Sequence, residues 1–118
     1  MTRQRNDKHG TPFGNWLRMQ ESIDSRKGWV ASNLDYIWSN YNTGDWMLIE
    51  EKRYGARLTF CQTRLFDLID KCARQDAKYH GFHTVRFQNT TPDDGLIWID
   101  DAQADKARLL AFLRFETV

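Results

Sequence analysis

The chain has 118 residues, enough for one domain, and its 41% hydrophobic and 14% aromatic content supplies a core, which excludes an intrinsically disordered chain. Lys and Arg total 17 against 16 Asp and Glu, a net charge of +1, so nucleic-acid binding can rest only on local clustering. Uncharged apolar runs such as Trp46 to Ile49 are far short of the roughly 20 residues of a membrane span, and the polar stretch Met1 to Lys8 has no apolar segment behind it, so neither a membrane helix nor a secretory leader is expected.

Residues 1–12 are polar and aperiodic, which predicts a flexible arm before a single domain over 13–118. Trp16, Leu17, Gln20, Ile23 and Lys27 recur at helical spacing ahead of Gly28, which predicts a helix over Asn15 to Lys27. Leu34 to Trp38 and Asp45 to Lys52 are apolar and aromatic runs separated by the turn-rich Ser39 to Gly44, a β-hairpin pattern. From Ala56 to Gln75 a helix is predicted whose apolar stripe holds Leu58, Cys61, Leu65, Leu68, Ile69 and Cys72. Its two cysteines read as buried, reduced thiols of a cytoplasmic protein.

Phe82 to Gln88 and Gly95 to Asp100 form two further predicted strands, joined by turn residues Asn89 to Asp94, and Ala102 to Phe115 closes the chain as a helix. The order αββαββα predicts an α/β (α+β) fold, a small mixed sheet of about four strands flanked by helices. Trp16, Trp29, Trp38, Trp46 and Trp98 are expected mostly in the core. Without a glycine-rich phosphate loop or a G-x-S-x-G elbow, no nucleotide cofactor and no serine-hydrolase chemistry is indicated.

The chemistry concentrates in Asp35 and Glu50-x-Lys52. Strand alternation puts Glu50 and Lys52 on one face and Glu51 on the other, while the hairpin brings Asp35 close to Glu50. Two carboxylates suit a hard cation, Mg²⁺ or Mn²⁺, and Lys52 could orient a water or offset phosphate charge. The plainer alternative is a solvated strand end with Asp35 as a turn residue.

Asp35 followed by Glu50-Glu51-Lys52 at the end of the apolar strand Trp46 to Ile49 resembles the signature of the PD-(D/E)xK nuclease superfamily. The resemblance extends over roughly residues 15–100 and implies a restriction-endonuclease-like core. It also implies Asp35 and Glu50 as metal ligands, Lys52 as the catalytic lysine, Glu21 as an additional metal-binding acid and Gln62 as a supporting catalytic residue of the RecB-like and resolvase-like branches. Phe66 stands where those branches often carry an aromatic hydroxyl, and Leu34 stands in place of the proline that names the motif.

On such a nuclease Arg53, Arg57, Lys71 and Arg74 would hold the phosphate backbone, as would Arg3, Arg5 and Lys8 in the arm. Asp45 reads as a turn residue and Glu51 as surface. His80 and His83 read as a loop and strand-edge pair without a catalytic duty, with a phosphate contact or an auxiliary base as the alternative for His83. Trp38 or Tyr41 could stack on a base. The expected function is a metal-dependent DNA endonuclease, structure-specific in the manner of a Holliday-junction resolvase. It would act as a homodimer in DNA recombination or repair, with a phage or mobile-element source and the host cytoplasm as its setting. The alternative is a non-catalytic nucleic-acid-binding or protein-interaction module, such as an inhibitor of a host enzyme.

Overall fold

The computed structural model describes residues 11–116; the basic arm residues Arg3, Arg5 and Lys8 lie outside them. The described residues fall into two compact units, divided between Ser32 and Asn33. In the first, helix α1 spans Pro12–Arg18, and 3₁₀ turns follow at Glu21–Ile23 and Ser25–Lys27. The continuous helix expected over Asn15 to Lys27 is therefore shorter, begins earlier and breaks. Thr11 caps α1 by accepting the Gly14 N–H, with Pro12 in the first turn, where its missing N–H is harmless. Asp24 accepts the Arg26 N–H at 2.7 Å and its guanidinium at 3.1 Å, a local closure that competes with helix propagation. The stop at Gly28 is as expected, with φ 98 in the left-handed region.

In the second unit, β1 (Tyr36–Ser39) and β2 (Trp46–Lys52) form the antiparallel hairpin, in register from Tyr36 opposite Ile49 to Ser39 opposite Trp46. Helix α2 (Phe60–Ala73) crosses over to β3 (Tyr79–Phe87), which runs parallel to β2 with Glu50 beside Thr84 and Lys52 beside Arg86. Strands β4 (Ile97–Ile99) and β5 (Ala102–Ala104) add antiparallel pairs, and α3 (Lys106–Leu113) follows. The described sheet has five strands in the order β1-β2-β3-β4-β5. The mixed α+β class holds, with five strands rather than about four and the order αββαβββα. The missed strand β5 lies where the closing helix was expected to begin. Ile99 turns back to Ala102 through Asp100 and Asp101, both at positive φ, a two-residue hairpin built without glycine. The alanines of β5 favour helix on their own, so pairing with β4 overrides propensity there.

Alternation along β2 and β3 divides the sheet into two faces. Met47, Ile49, Val85, Phe87 and Ile97 pack with Leu109 of α3, and Phe112 and Leu113 extend that cluster. On the opposite face, Phe66 of α2 lies 5.0 Å from Phe82, centroid to centroid. Because both faces of β2 are covered, Met47 to Glu50 are buried in succession.

The inward face of α2 is rotated by one residue from the expected stripe. Phe66 is buried, Gln62, Leu65, Asp70 and Ala73 are half-buried beside it, and Cys61, Leu68 and Cys72 are exposed. The thiols are therefore exposed, not buried. Hydrophobicity alone misjudged the phase because two polar residues face inward: Gln62, bonded to Lys52, and Asp70, which accepts from the Tyr79 hydroxyl and the Phe82 N–H. None of the five tryptophans is buried either: Trp16, Trp29 and Trp38 are exposed, and Trp46 and Trp98 are half-buried. Among the described residues no helix is long and apolar enough to cross a membrane.

The phase of α2 can be checked by denaturant unfolding. Phe66→Ala is expected to cost about 3–5 kcal/mol, whereas Leu68→Ala, three residues from the predicted stripe partner Leu65, is expected to cost less than about 1 kcal/mol.

Candidate functional site

Three elements assemble the site. Tyr36 pairs with Ile49, so Asp35, one residue before β1, lies across from Glu50. The Asp35 N–H donates to Glu50 Oε1 at 3.1 Å, and Asp35 Oδ2 accepts the Glu51 N–H at 2.8 Å. Lys52, two residues on and on the same face of β2, brings Nζ within 3.6 Å of Glu50 Oε2. Its ammonium donates to Gln62 Oε1 at 3.1 Å.

Gln62 is the third residue of α2 and closes a capping box with Thr59: the Gln62 N–H donates to Thr59 Oγ1, and the Thr59 N–H donates to Gln62 Oε1, both at 3.1 Å. One amide oxygen thus starts the helix and anchors the lysine. The structure brings Asp35, Glu50, Lys52 and Gln62 together.

Glu50 is 3% exposed, the one buried charged side chain among the described residues. Burial, and then the neighbouring Asp35 charge, push its carboxyl above the ordinary range, against the Asp35 N–H and Lys52, which favour the anion. Buried Glu50 and exposed Asp35 share a single ammonium, and a divalent cation would balance the remaining negative charge. The donor set fits Mg²⁺ or Mn²⁺, which accept one or two carboxylates and complete their shell with waters and substrate oxygens. Among the described residues no three His, Cys, Asp or Glu side chains gather into one group. Glu21 is exposed in the turn Glu21–Ile23 of the first unit.

The basic residues divide by position. Arg53 is exposed one residue past Lys52, with Nε 3.7 Å from Glu51, and Arg57, also exposed, meets Asp101 at 3.3 Å. Lys71 and Arg74 lie toward the far end of α2, about 14 and 18 Å along the axis from Gln62, and Arg74 is tied to Asp70 at 3.0 Å. Trp38 and Tyr41 lie toward the turn end of the hairpin, away from Asp35, and line a concavity of about 500 Å³ with Leu113 to Glu116. Glu51 faces away from Glu50, as alternation requires, and accepts from the Tyr36 hydroxyl at 3.2 Å.

Asp45 caps the hairpin turn with Thr43 and meets His80 at 2.9 Å. His80 and His83 both lie inside β3, a central strand, not in a loop or at a strand edge. His83 Nδ1 is 2.6 Å from Asp100, and Nε2 is 2.8 Å from the His80 carbonyl. Both ring nitrogens face acceptors, an arrangement that only the doubly protonated ring satisfies.

The residue missed by sequence reasoning is Arg86, on the same face as Lys52 and beside it in register. The Phe82, Thr84, Arg86 alternation was available as a signal, but nothing in the sequence sets β3 against β2 in this register. Comparisons with protein-family models, curated proteins and solved structures find no match to this chain.

Burial alone would lower the His83 value, but the bonds to Asp100 and the His80 carbonyl outweigh it and hold it above 6.5. Protonated His83 therefore stabilises the fold, fully below the unfolded-state value and progressively less as pH rises through the folded one. The melting-temperature gap between wild type and His83→Gln should be widest below pH 6.5 and narrow above it. At Glu50, replacement by the neutral isostere removes a buried charge: in EDTA at neutral pH, Glu50→Gln is expected to melt about 4 °C above wild type, the shift that about 1 kcal/mol produces in a domain of this size. A large fall in melting temperature would mean that the carboxylate is structural.

Proposed function

We propose that the chain is a metal-dependent nuclease that hydrolyses phosphodiester bonds in DNA. The observation that carries the proposal is the meeting of Asp35, Glu50 and Lys52 around one buried carboxylate, with Lys52 Nζ 3.6 Å from Glu50. Asp35 and Glu50 would hold Mg²⁺ or Mn²⁺, which supplies Lewis acidity toward a phosphodiester and toward a bound water. Lys52 carries the positive charge closest to the carboxylates, where it can orient a nucleophile or stabilise charge growing on the phosphate. Gln62 is a positioning residue: its amide oxygen fixes the Lys52 ammonium and, through Thr59, ties it to the first turn of α2.

The resemblance to the PD-(D/E)xK superfamily supports the same assignment, because Asp35, Glu50, Lys52 and Gln62, four of the five residues it singles out, lie together, while Glu21 stands in the first unit. Arg57, exposed and in contact with Asp101, is available to a phosphate backbone, whereas Arg53 is drawn to Glu51 on the opposite face. A structure-specific, resolvase-like substrate preference is part of the proposal. Cutting both strands of a junction takes two such sites, hence two copies of the chain.

The test is cleavage of labelled duplex, single-stranded and four-way-junction DNA in Mg²⁺, Mn²⁺ or EDTA. The expected result is metal-dependent cutting, reduced at least about 100-fold in Glu50→Ala and Lys52→Ala, a loss of about 2.7 kcal/mol or more in transition-state stabilisation. Gln62→Leu is expected to slow cutting less than Lys52→Ala. Intact DNA with every substrate and metal would overturn the nuclease and leave a binding module as the alternative.

A further inference from the structure

A second constellation lies beside the carboxylates, at the carboxyl ends of the parallel pair β2 and β3, where open α/β sheets place their ligands. Arg86 is in register with Lys52 and shares its face. Its side chain is 12% exposed, and its guanidinium lies 4.4 Å over the ring of Trp98 in the adjacent strand β4. Stacking on an aromatic ring holds the plane of the fork. Arg57 reaches the same place from the segment between β2 and α2. Both guanidinium groups converge on the carboxylate of Asp101, Arg86 at 3.2 Å and Arg57 at 3.3 Å.

The charges in this cluster do not balance. Two permanently charged forks share one carboxylate, and Lys52 next to them already faces Glu50. The partners also differ in exposure. Arg86 is wedged against Trp98, whereas Asp101 is 65% exposed on the turn between β4 and β5. Each fork donates a single bond, both to Oδ1 of Asp101, so neither arginine is used to its full capacity, and a phosphodiester with two anionic oxygens could take further N–H groups of both. One fork held against Trp98 and a second, exposed fork, with an exposed carboxylate between them, therefore form a phosphate seat holding an internal stand-in.

We propose, resting on the nucleic-acid reading of the adjacent site, that Arg86 and Arg57 seat a backbone phosphate next to the one being cleaved, and that Asp101 fills that seat until nucleic acid displaces it. Asp101 is then an internal competitor of the substrate. A purely structural Arg86–Asp101 pair makes the opposite demand, because removing either partner would loosen the β4–β5 turn and weaken whatever binds nearby.

The sign of the Asp101 effect decides between the two. Binding of a short labelled DNA duplex to the full chain is measured in EDTA across a salt series, so that affinity is read without cleavage. Asp101→Asn is expected to tighten binding severalfold. Arg86→Gln is expected to weaken it about tenfold and to lower the slope of log affinity against log salt by about 1. If Arg86→Gln fails to fold, the exposed Arg57→Gln carries the same expected change of slope. Weaker or unchanged binding in Asp101→Asn, an unchanged slope in the arginine variants, or no measurable binding by wild type and Asp101→Asn would each overturn the seat. Cleavage in Mn²⁺ is scored separately. Its absence with the binding signs intact removes the nuclease and leaves the seat, whereas cleavage with the signs reversed removes only the seat.

Discussion

The burial of the Glu50 carboxylate at the end of β2 is the constraint on which the site depends. β2 lies between β1 and β3 with both faces covered, so its succession of buried residues runs from Met47 into Glu50 without a break. A charged group in that position needs partners, and the surrounding chain supplies them: the Asp35 N–H from the start of the hairpin, the Lys52 ammonium two residues on, and Gln62 behind the lysine. They neutralise Glu50 incompletely, since Asp35 brings a second negative charge to the same place. Glu50 is thus a buried carboxylate held by three segments of the chain, with its carboxyl pushed above the ordinary range by burial and by Asp35.

The same hydrogen bonds join local folding to the site. The capping box that starts α2 uses the oxygen that anchors Lys52, so the helix phase and the lysine position are set together. At its other end α2 is tied to the start of β3 through Asp70, Tyr79 and Phe82. This fixes the parallel register that places Thr84 beside Glu50 and Arg86 beside Lys52. The crossover thereby sets which basic residues stand near the site: Arg86 lies beside Lys52 and meets Arg57 at Asp101, whereas Lys71 and Arg74 lie toward the far end of the helix.

Local chemistry was legible in the sequence, and long-range geometry was not. The hairpin, its Asn- and Gly-rich turn and the pairing of Asp35 with Glu50-x-Lys52 follow from alternation and turn residues, and the structure places them as that pattern requires. The face of α2 was misjudged because Gln62 and Asp70 are turned inward by hydrogen bonds, which hydrophobicity does not register. The strand Ala102–Ala104 was hidden by helix-favouring alanines and by an Asp-Asp turn that lacks the usual glycine. Arg86 stayed out of view because its importance lies in a parallel pairing set by the whole crossover. The exposed tryptophans show the limit of base rates: with only ten residues buried among those described, a chain of this size leaves its largest rings partly in water.

The most direct test of the central claim is a titration of the metal-free full chain with Mn²⁺, followed by calorimetry or by the resonance signal of the free ion. Saturable binding that is lost in both Glu50→Gln and Asp35→Asn, with the variants still folded, is the result expected of two carboxylates that share a cation. No saturable binding, or equal binding in the variants, would contradict the account and return Glu50 to a buried acid held only by Lys52 and the Asp35 N–H.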